Sequence, residues 1–345
     1  MRKYVCVTII LLGTLARLQA QDLTFSQFYE QPLLRNPALA GVFNEDVRVV
    51  GAFRNQWQSV TVPYQTEALS AEIKLPRSIS DNLWTVGLQV TNDEAGDVKL
   101  RRTQLLPAVS WQVKMRQDGT LYLGFGLMAG YVSNQFDPTK ARFDDQFVNG
   151  SYDPSNPTSQ TFTQTGTSYF DFNFGTVLTG SFTGDKSEGY YYGGIAVFHI
   201  NKPSIAAYTG ESNVHLDRKL AINGGLVLPT SDANNIVAFG DFFRQGGNNQ
   251  FLAGLLYSFD LSQNFYGDDP DIKTALYLGA IYRWNDAIAP TLKLNWNNLA
   301  FGFSYDANIS SLSTASQFRG GFELTFSFKG DFRQRSQLPC PHFVF

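Results

Sequence analysis

Few residues in this sequence have the type and spacing that chemistry demands. His199, His215 and His342 are its three histidines. His199 falls at the end of a strand-like run, His215 in a connection and His342 near the C-terminus. A Ser-His-carboxylate relay needs no sequence adjacency, so spacing alone leaves one open. The Gly-x-Ser-x-Gly elbow that would announce a nucleophile does not occur. The acidic pairs Asp144-Asp145 and Asp268-Asp269, with Asp271, invite a calcium reading. Calcium needs about six to eight converging oxygens, and neither cluster has EF-hand spacing. Solvated loop acidity is the plainer reading. Cys6 lies in an N-terminal apolar run and Cys340 near the other end. Loss of the first with a leader leaves one thiol, with no disulfide partner and no metal-site partner. The residues therefore point to a protein that is not an enzyme, with no cofactor and no metal.

The elements that would position any site come next. Arg2 and Lys3, the apolar run Tyr4 to Leu15 and Leu18-Gln19-Ala20 predict a secretory signal over residues 1–20, with the mature chain starting at Gln21. That run is too short to cross a bilayer as a helix, and no later stretch reaches about 18 apolar residues. Charged residues are 17% of the chain, below the roughly 25% of soluble domains. Aromatics reach 14%, and there are 30 glycines. A net charge of −3 gives no electrostatic case for nucleic acid.

Period-two alternation recurs from Val47 nearly to the end. Trp84, Val86, Leu88 and Val90 alternate with Thr85, Gly87, Gln89 and Thr91. Leu121, Leu123, Phe125, Leu127 and Tyr131 alternate with Gly124, Gly126 and Gly130. Similar runs occupy Phe170–Leu178, Ile288–Trp296, Leu299–Tyr305 and Phe318–Phe328. Segments near 47–54, 64–75, 101–114, 188–200, 218–229, 235–245, 249–259 and 274–284 bring the count to about 14. Side chains of a strand point alternately to its two faces, so each segment has one greasy and one polar side. Pro107 and Pro290, inside such runs, predict bulges or strand ends.

A soluble sandwich or a lipid-facing barrel would both bury such strands. The lengths of about 10–14 residues match membrane-spanning strands better than soluble ones. Aromatics gather at segment ends, as in Tyr190-Tyr191-Tyr192, Tyr282 with Trp284, Trp296 and Tyr305, as interfacial girdles do. Arg319, Glu323, Lys293 and Asp241 lie on polar faces that a dry sandwich core would not tolerate unpaired. The expected fold is all-β: a transmembrane antiparallel barrel of about 14 strands, residues 47–330, in the outer membrane of a Gram-negative bacterium. An arm over 21–46 precedes it on the periplasmic side, and a tail over 331–345 follows. Connections near 115–118, 184–187, 230–234 and 297–298 are short, as periplasmic turns are; those at 135–167 and 201–217 are long, as extracellular loops are. The connection at 260–274 is long yet falls on the short-turn side by parity.

The arm carries FSQFYEQPLLRNPALAG, Phe25 to Gly41. It is too proline-rich for a strand and too apolar for a free tail, so a turn-rich arm or plug packed on the barrel is expected. RNQWQS, Arg54 to Ser59, follows the first strand, and the chain ends LPCPHFVF, Leu338 to Phe345. With these residues the chain resembles the PorP/SprF family, outer-membrane proteins of the type IX secretion system of Bacteroidetes. The resemblance covers essentially the whole mature chain. The tail departs from the family's usual Cys-Pro, basic residue, Phe ending, because Val344-Phe345 follow His342-Phe343.

The resemblance implies a barrel that docks or anchors secreted cell-surface proteins, such as gliding adhesins, and subunits of the machinery. Its partners would be outer-membrane lipid, secreted surface proteins and other type IX components, and no nucleic acid. Candidate protein-contact residues are Phe25, Phe28, Tyr29, Arg35, Asn36 and Pro37, with Arg54, Gln56 and Trp57 beside them. The long loops 135–167 and 201–217 are further contact regions. The alternative is an outer-membrane solute channel or fatty-acid-type transporter, since a barrel of this size has room for a solute path or a plug.

Overall fold

Residues 22–58, 62–76, 82–162, 164–183, 188–205, 214–230, 234–262, 274–311 and 313–332 are described by the computed structural model. The strands are β1 (Val47–Gln56), β2 (Tyr64–Lys74), β3 (Leu83–Ala95), β4 (Leu100–Lys114) and β5 (Leu121–Gln135). A small hairpin, β6 (Phe147–Val148) and β7 (Ser151–Tyr152), interrupts the series. Then come β8 (Gly166–Thr183), β9 (Glu188–Phe198), β10 (Lys219–Pro229), β11 (Asn235–Gln245) and β12 (Asn248–Asp260). The last four are β13 (Thr274–Arg283), β14 (Ala287–Trp296), β15 (Leu299–Asn308) and β16 (Arg319–Gly330). All but the hairpin form one closed antiparallel barrel of 14 strands, each paired with its neighbour in that order. The seam joins β1 to β16 in unbroken register, from Val47 opposite Gly330 to Gln56 opposite Gly321. No strand edge is left in the wall, which lipid requires because hydrocarbon offers backbone groups no partner.

The alternation places apolar side chains outside and polar ones inside. Leu127 and Phe170 are each 64% exposed, while Thr85, Gln89 and Gln112 are fully buried. A water-soluble domain shows the reverse, so the outer face is solvated by hydrocarbon. Rings mark the interfaces. Trp84 stacks on Trp111 at 5.6 Å near one end of the wall, and Tyr282 meets Trp284 at 6.1 Å near the other.

The up-and-down order sorts the connections. The 115–120, 184–187, 230–234 and 297–298 connections share the end where β1 begins and β16 ends. The loops 136–165 and 199–218 lie at the opposite, long-loop end. Parity also puts the 260–274 connection at the short-turn end, so its length reflects no slip in the strand count. Most of it, including Asp268, Asp269 and Asp271, lies outside the described residues, as do residues 1–21, Cys340 and His342.

Three local expectations need correction. Pro107 and Pro290 are neither bulges nor strand ends. The β4–β5 ladder skips Leu106 and Pro107 and resumes in the same register, and β14–β15 does likewise around Pro290. Losing one donor on one side interrupts a ladder without shifting it. The register does shift in β16, where Gly320 is the extra residue opposite Asp306 and Ala307. Phe318 lies outside β16, with a left-handed φ of 63°, and Arg319 sits exposed at the strand's start rather than in a polar lumen. At Asn149-Gly150 both residues have positive φ, 53° and 81°, between β6 and β7. That is the geometry of a tight two-residue hairpin.

Candidate functional site

The arm is inside the barrel. Its prolines break it into short turns. Gln31 and Asn36 precede prolines and are therefore held out of the helical region. Pro32 opens a single helical turn, Pro32–Arg35, and Pro37 opens another tight turn, Pro37–Leu39. The Asn36 side chain caps the second by accepting from Ala38 N at 2.9 Å. This chain cannot add to the sheet as a strand, so it packs side chains and turns against the wall.

Its path runs from one mouth to the other. Near the long-loop mouth, Asp22 accepts hydrogen bonds from Arg102 at 2.8 Å and Lys219 at 3.4 Å and meets the His199 ring at 2.9 Å. Lower, Ser26 N and Gln27 N donate to the Glu323 carboxylate at 2.5 and 2.7 Å. Ser26 Oγ donates to Asp306 at 2.6 Å, and Arg283 donates to both Ser26 and Asp306. Glu30 pairs with Lys293. At mid-depth the Arg35 guanidinium forks onto Asp241, with both N–O distances 2.6 Å, and also donates to Tyr192 Oη at 2.7 Å. Toward the short-turn mouth, Gln112 donates to Ala38 O at 2.8 Å and Ser110 to Ala40 O at 2.7 Å. Gly41 N donates to Glu72, which Arg48 also holds.

Apolar contacts fill the spaces between these polar fastenings. Tyr29 lies 4.7 Å and Phe28 5.2 Å, centroid to centroid, from Phe239. The Arg35 guanidinium stands 5.0 Å over the Phe28 ring. Wall glycines permit the closest approach. A Cβ on Gly126 would lie 2.2 Å from the Pro37–Ala38 peptide, and one on Gly175 would lie 1.9 Å from Asn36 Oδ1. Any larger residue there would meet the arm's backbone or its capping side chain.

The candidate contact residues thus divide. Phe25, Phe28, Tyr29, Arg35, Asn36 and Pro37 are buried in the lumen and touch the barrel's own wall. Arg54 joins them there, bonded to Asp306 and Glu323 at 3.0 Å each. Gln56 and Trp57 stay half-buried at the long-loop rim, and Trp57 has a left-handed φ of 61°. The nine do not form one surface.

His199 is the residue that sequence reasoning undervalued. A strand-end polar histidine was expected, yet it is 2% exposed. Its Nδ1 lies 2.9 Å from both Asp171 oxygens and its Nε2 2.9 Å from Asp22. Burial alone would lower the imidazole pKa, but the carboxylates of Asp22 and Asp171 outweigh it and push it up to about 9. Burial likewise opposes ionisation of Asp22, yet His199, Lys219 and Arg102 hold its carboxyl well below the usual range. No local pattern signals this, because the partners lie 28 and 177 residues away. The Asp144-Asp145 pair is loop structure: Asp145 accepts from Ser159 N at 2.6 Å and Ser159 Oγ at 2.8 Å, tying the long loop to itself. Among the described residues, no group of three or more His, Cys, Asp or Glu is placed to hold a metal ion.

A closed wall that is apolar outside, polar inside and filled by its own arm defines an outer-membrane β-barrel protein. Residues 18–328 match the family model for the type IX secretion system membrane protein PorP/SprF. The chain belongs to that family and is an outer-membrane barrel of type IX secretion. No curated protein matches its sequence. Among solved structures it is similar to the toluene transporter TbuX of Ralstonia pickettii, at 10% identity and a TM-score of 0.48, covering 87% of this chain and 93% of that one. It is also similar to BamA of Haemophilus ducreyi lacking POTRA domains 1–3, at 11% identity and a TM-score of 0.41, covering 83% and 71%.

Proposed function

We propose that this barrel docks or anchors secreted cell-surface proteins, such as gliding adhesins, together with other subunits of the secretion machinery. The observation that carries the reading is the filled lumen. An arm fastened to the wall from one mouth to the other opposes a solute path and leaves the rims and loops to make contacts. The 136–165 loop is suited to this: Asp145 braces it, and Phe147, Val148 and Phe162 are 49, 45 and 44% exposed. Exposed apolar groups on a braced loop favour protein contact. Gln56 and Trp57 lie on the same rim. Phe25, Phe28, Tyr29, Arg35, Asn36 and Pro37 would meet a partner only if the arm left the lumen.

The test is affinity purification of the tagged protein from its native outer membrane, followed by mass spectrometry. Secreted surface proteins and type IX components should co-purify, and alanine at Phe147 and Phe162 should reduce their yield. Recovery of lipid and unrelated porins alone would overturn the reading.

A further inference from the structure

The Asp22 clamp has the form of a binding site occupied by a piece of its own chain. Three cations meet one carboxylate. Arg102 Nη1 takes Oδ1, while His199 Nε2 and Lys219 Nζ share Oδ2. They come from β4, from the residue after β9 and from the first residue of β10, so the closed wall itself brings them together. The wall also engages the peptide bearing that carboxylate. Asp22 N donates to Gln245 Oε1 at 3.4 Å, and Thr24 Oγ1 donates to Gln250 Oε1 at 3.0 Å. Asp22 through Thr24 have no helical or strand structure, and the Asp22 side chain is 13% exposed. A cleft lined by Lys219, Phe243, Gln245, Asn249 and Gln250 opens beside it.

The charge balance shows what the clamp requires. With Asp22 in place, three cations face Asp22 and Asp171. Without it, Asp171 is the carboxylate left in contact with the cluster, and Asp241, already paired with Arg35, acts on Lys219 only through space, so positive charge is left in excess in a nearly buried place. Such a site must recruit an anion or give up the proton on His199.

We propose that Arg102, His199 and Lys219 form a carboxylate-binding site at the long-loop mouth, occupied in this structure by Asp22 as an internal stand-in for an aspartate or glutamate side chain on an extended peptide arriving from outside. Such a peptide would displace the first residues of the arm and leave the deeper fastenings at Glu323 and Asp241 in place. The site stands on its own geometry, whichever proteins the barrel docks.

The experiment uses the full-length protein in nanodiscs. In D22A, the His199 pKa, read by NMR of the labelled imidazole, should fall from about 9 toward its ordinary 6.5. Sodium acetate should raise it again, whereas acetamide and sodium chloride at matched ionic strength should not. A capped hexapeptide with the sequence of residues 22–27 should bind D22A at least about tenfold more tightly than its Asp→Asn version, a difference of about 1.4 kcal/mol. Wild-type protein, with its site filled, should bind neither. Equal effects of acetate and acetamide, or equal peptide binding by wild type and D22A, would overturn the proposal. Should D22A fail to insert, D22N keeps the side-chain volume and permits the same titration. There an unchanged His199 pKa would sink the idea, and a lowered one restored by acetate would support it.

Discussion

His199 lies between two carboxylates, each 2.9 Å away, and carries its proton well above the usual range of an imidazole. The sign of its contribution follows. A pKa raised from 6.5 to about 9 gives stability that is fully present below pH 6.5 and is lost as pH rises through about 9. Asp22 works the other way: its lowered pKa gives stability present above the ordinary carboxylate range and lost as pH falls through the lowered value. The clamp is therefore strongest in weakly acid to neutral conditions. Hydrogen exchange of the amides of residues 22–27 should be slow at pH 6 and accelerate near pH 9 beyond the intrinsic rise, with little such excess for residues 35–41. Deeper in the lumen, Arg35 and Asp241 form a buried forked pair. Arg35→Ala leaves a buried carboxylate without its partner, and breaking such pairs costs about 3–5 kcal/mol. Replacing both residues by Met and Leu should cost much less, because no uncompensated charge remains. Unfolding midpoints of the two variants in one detergent distinguish these outcomes.

At the scale of elements, the arm and the wall fit each other through what each lacks. The arm's prolines deny it strand pairing, and the glycines of β5 and β8 leave room for its turns. Gly126→Ala tests the fit. The new methyl meets the Pro37–Ala38 backbone, so the arm must shift or the wall must yield, at about 1–3 kcal/mol by the measure of overpacked cores. Limited proteolysis should then cut the arm faster than in wild type, while Gly51→Ala, whose Cβ would meet nothing within 4 Å, should leave the rate unchanged. The arm's separateness was legible in its composition: two prolines among Phe, Tyr and Leu, ahead of the first alternating run. The glycines at Gly124, Gly126 and Gly130 were visible too, though only as gaps in the alternation. That Gly126 faces the Pro37–Ala38 peptide, 89 residues earlier in the chain, cannot be read locally, since nothing near Gly126 in the chain resembles Pro37.

At the scale of the whole molecule, the barrel holds its polar groups inward, and the arm supplies many of their partners. Deleting residues 22–42 removes those partners and opens the polar interior to water. The variant should still migrate as a heat-modifiable barrel, because the β1–β16 seam and the outer apolar face do not involve the arm. In planar bilayers it should conduct ions in large steps, whereas wild type should conduct little. Equal conductance of the two would mean that the arm does not seal the lumen.

Some of this was determined by the sequence alone. Alternation with period two, strand lengths near the bilayer's thickness and aromatic strand ends dictate a lipid-facing barrel, because each is a local property of a chain crossing hydrocarbon. All 14 strands were legible in this way, and so were the short and long connections. Only the tertiary structure decided that the arm lies within the lumen, that Glu323, Lys293 and Asp241 serve as its fastenings, and that His199 is a buried, charged residue. The reason is physical. Alternation says which side of the wall a residue faces but not which residues meet across the barrel, because those contacts join positions hundreds apart in the chain and exist only once the cylinder has closed.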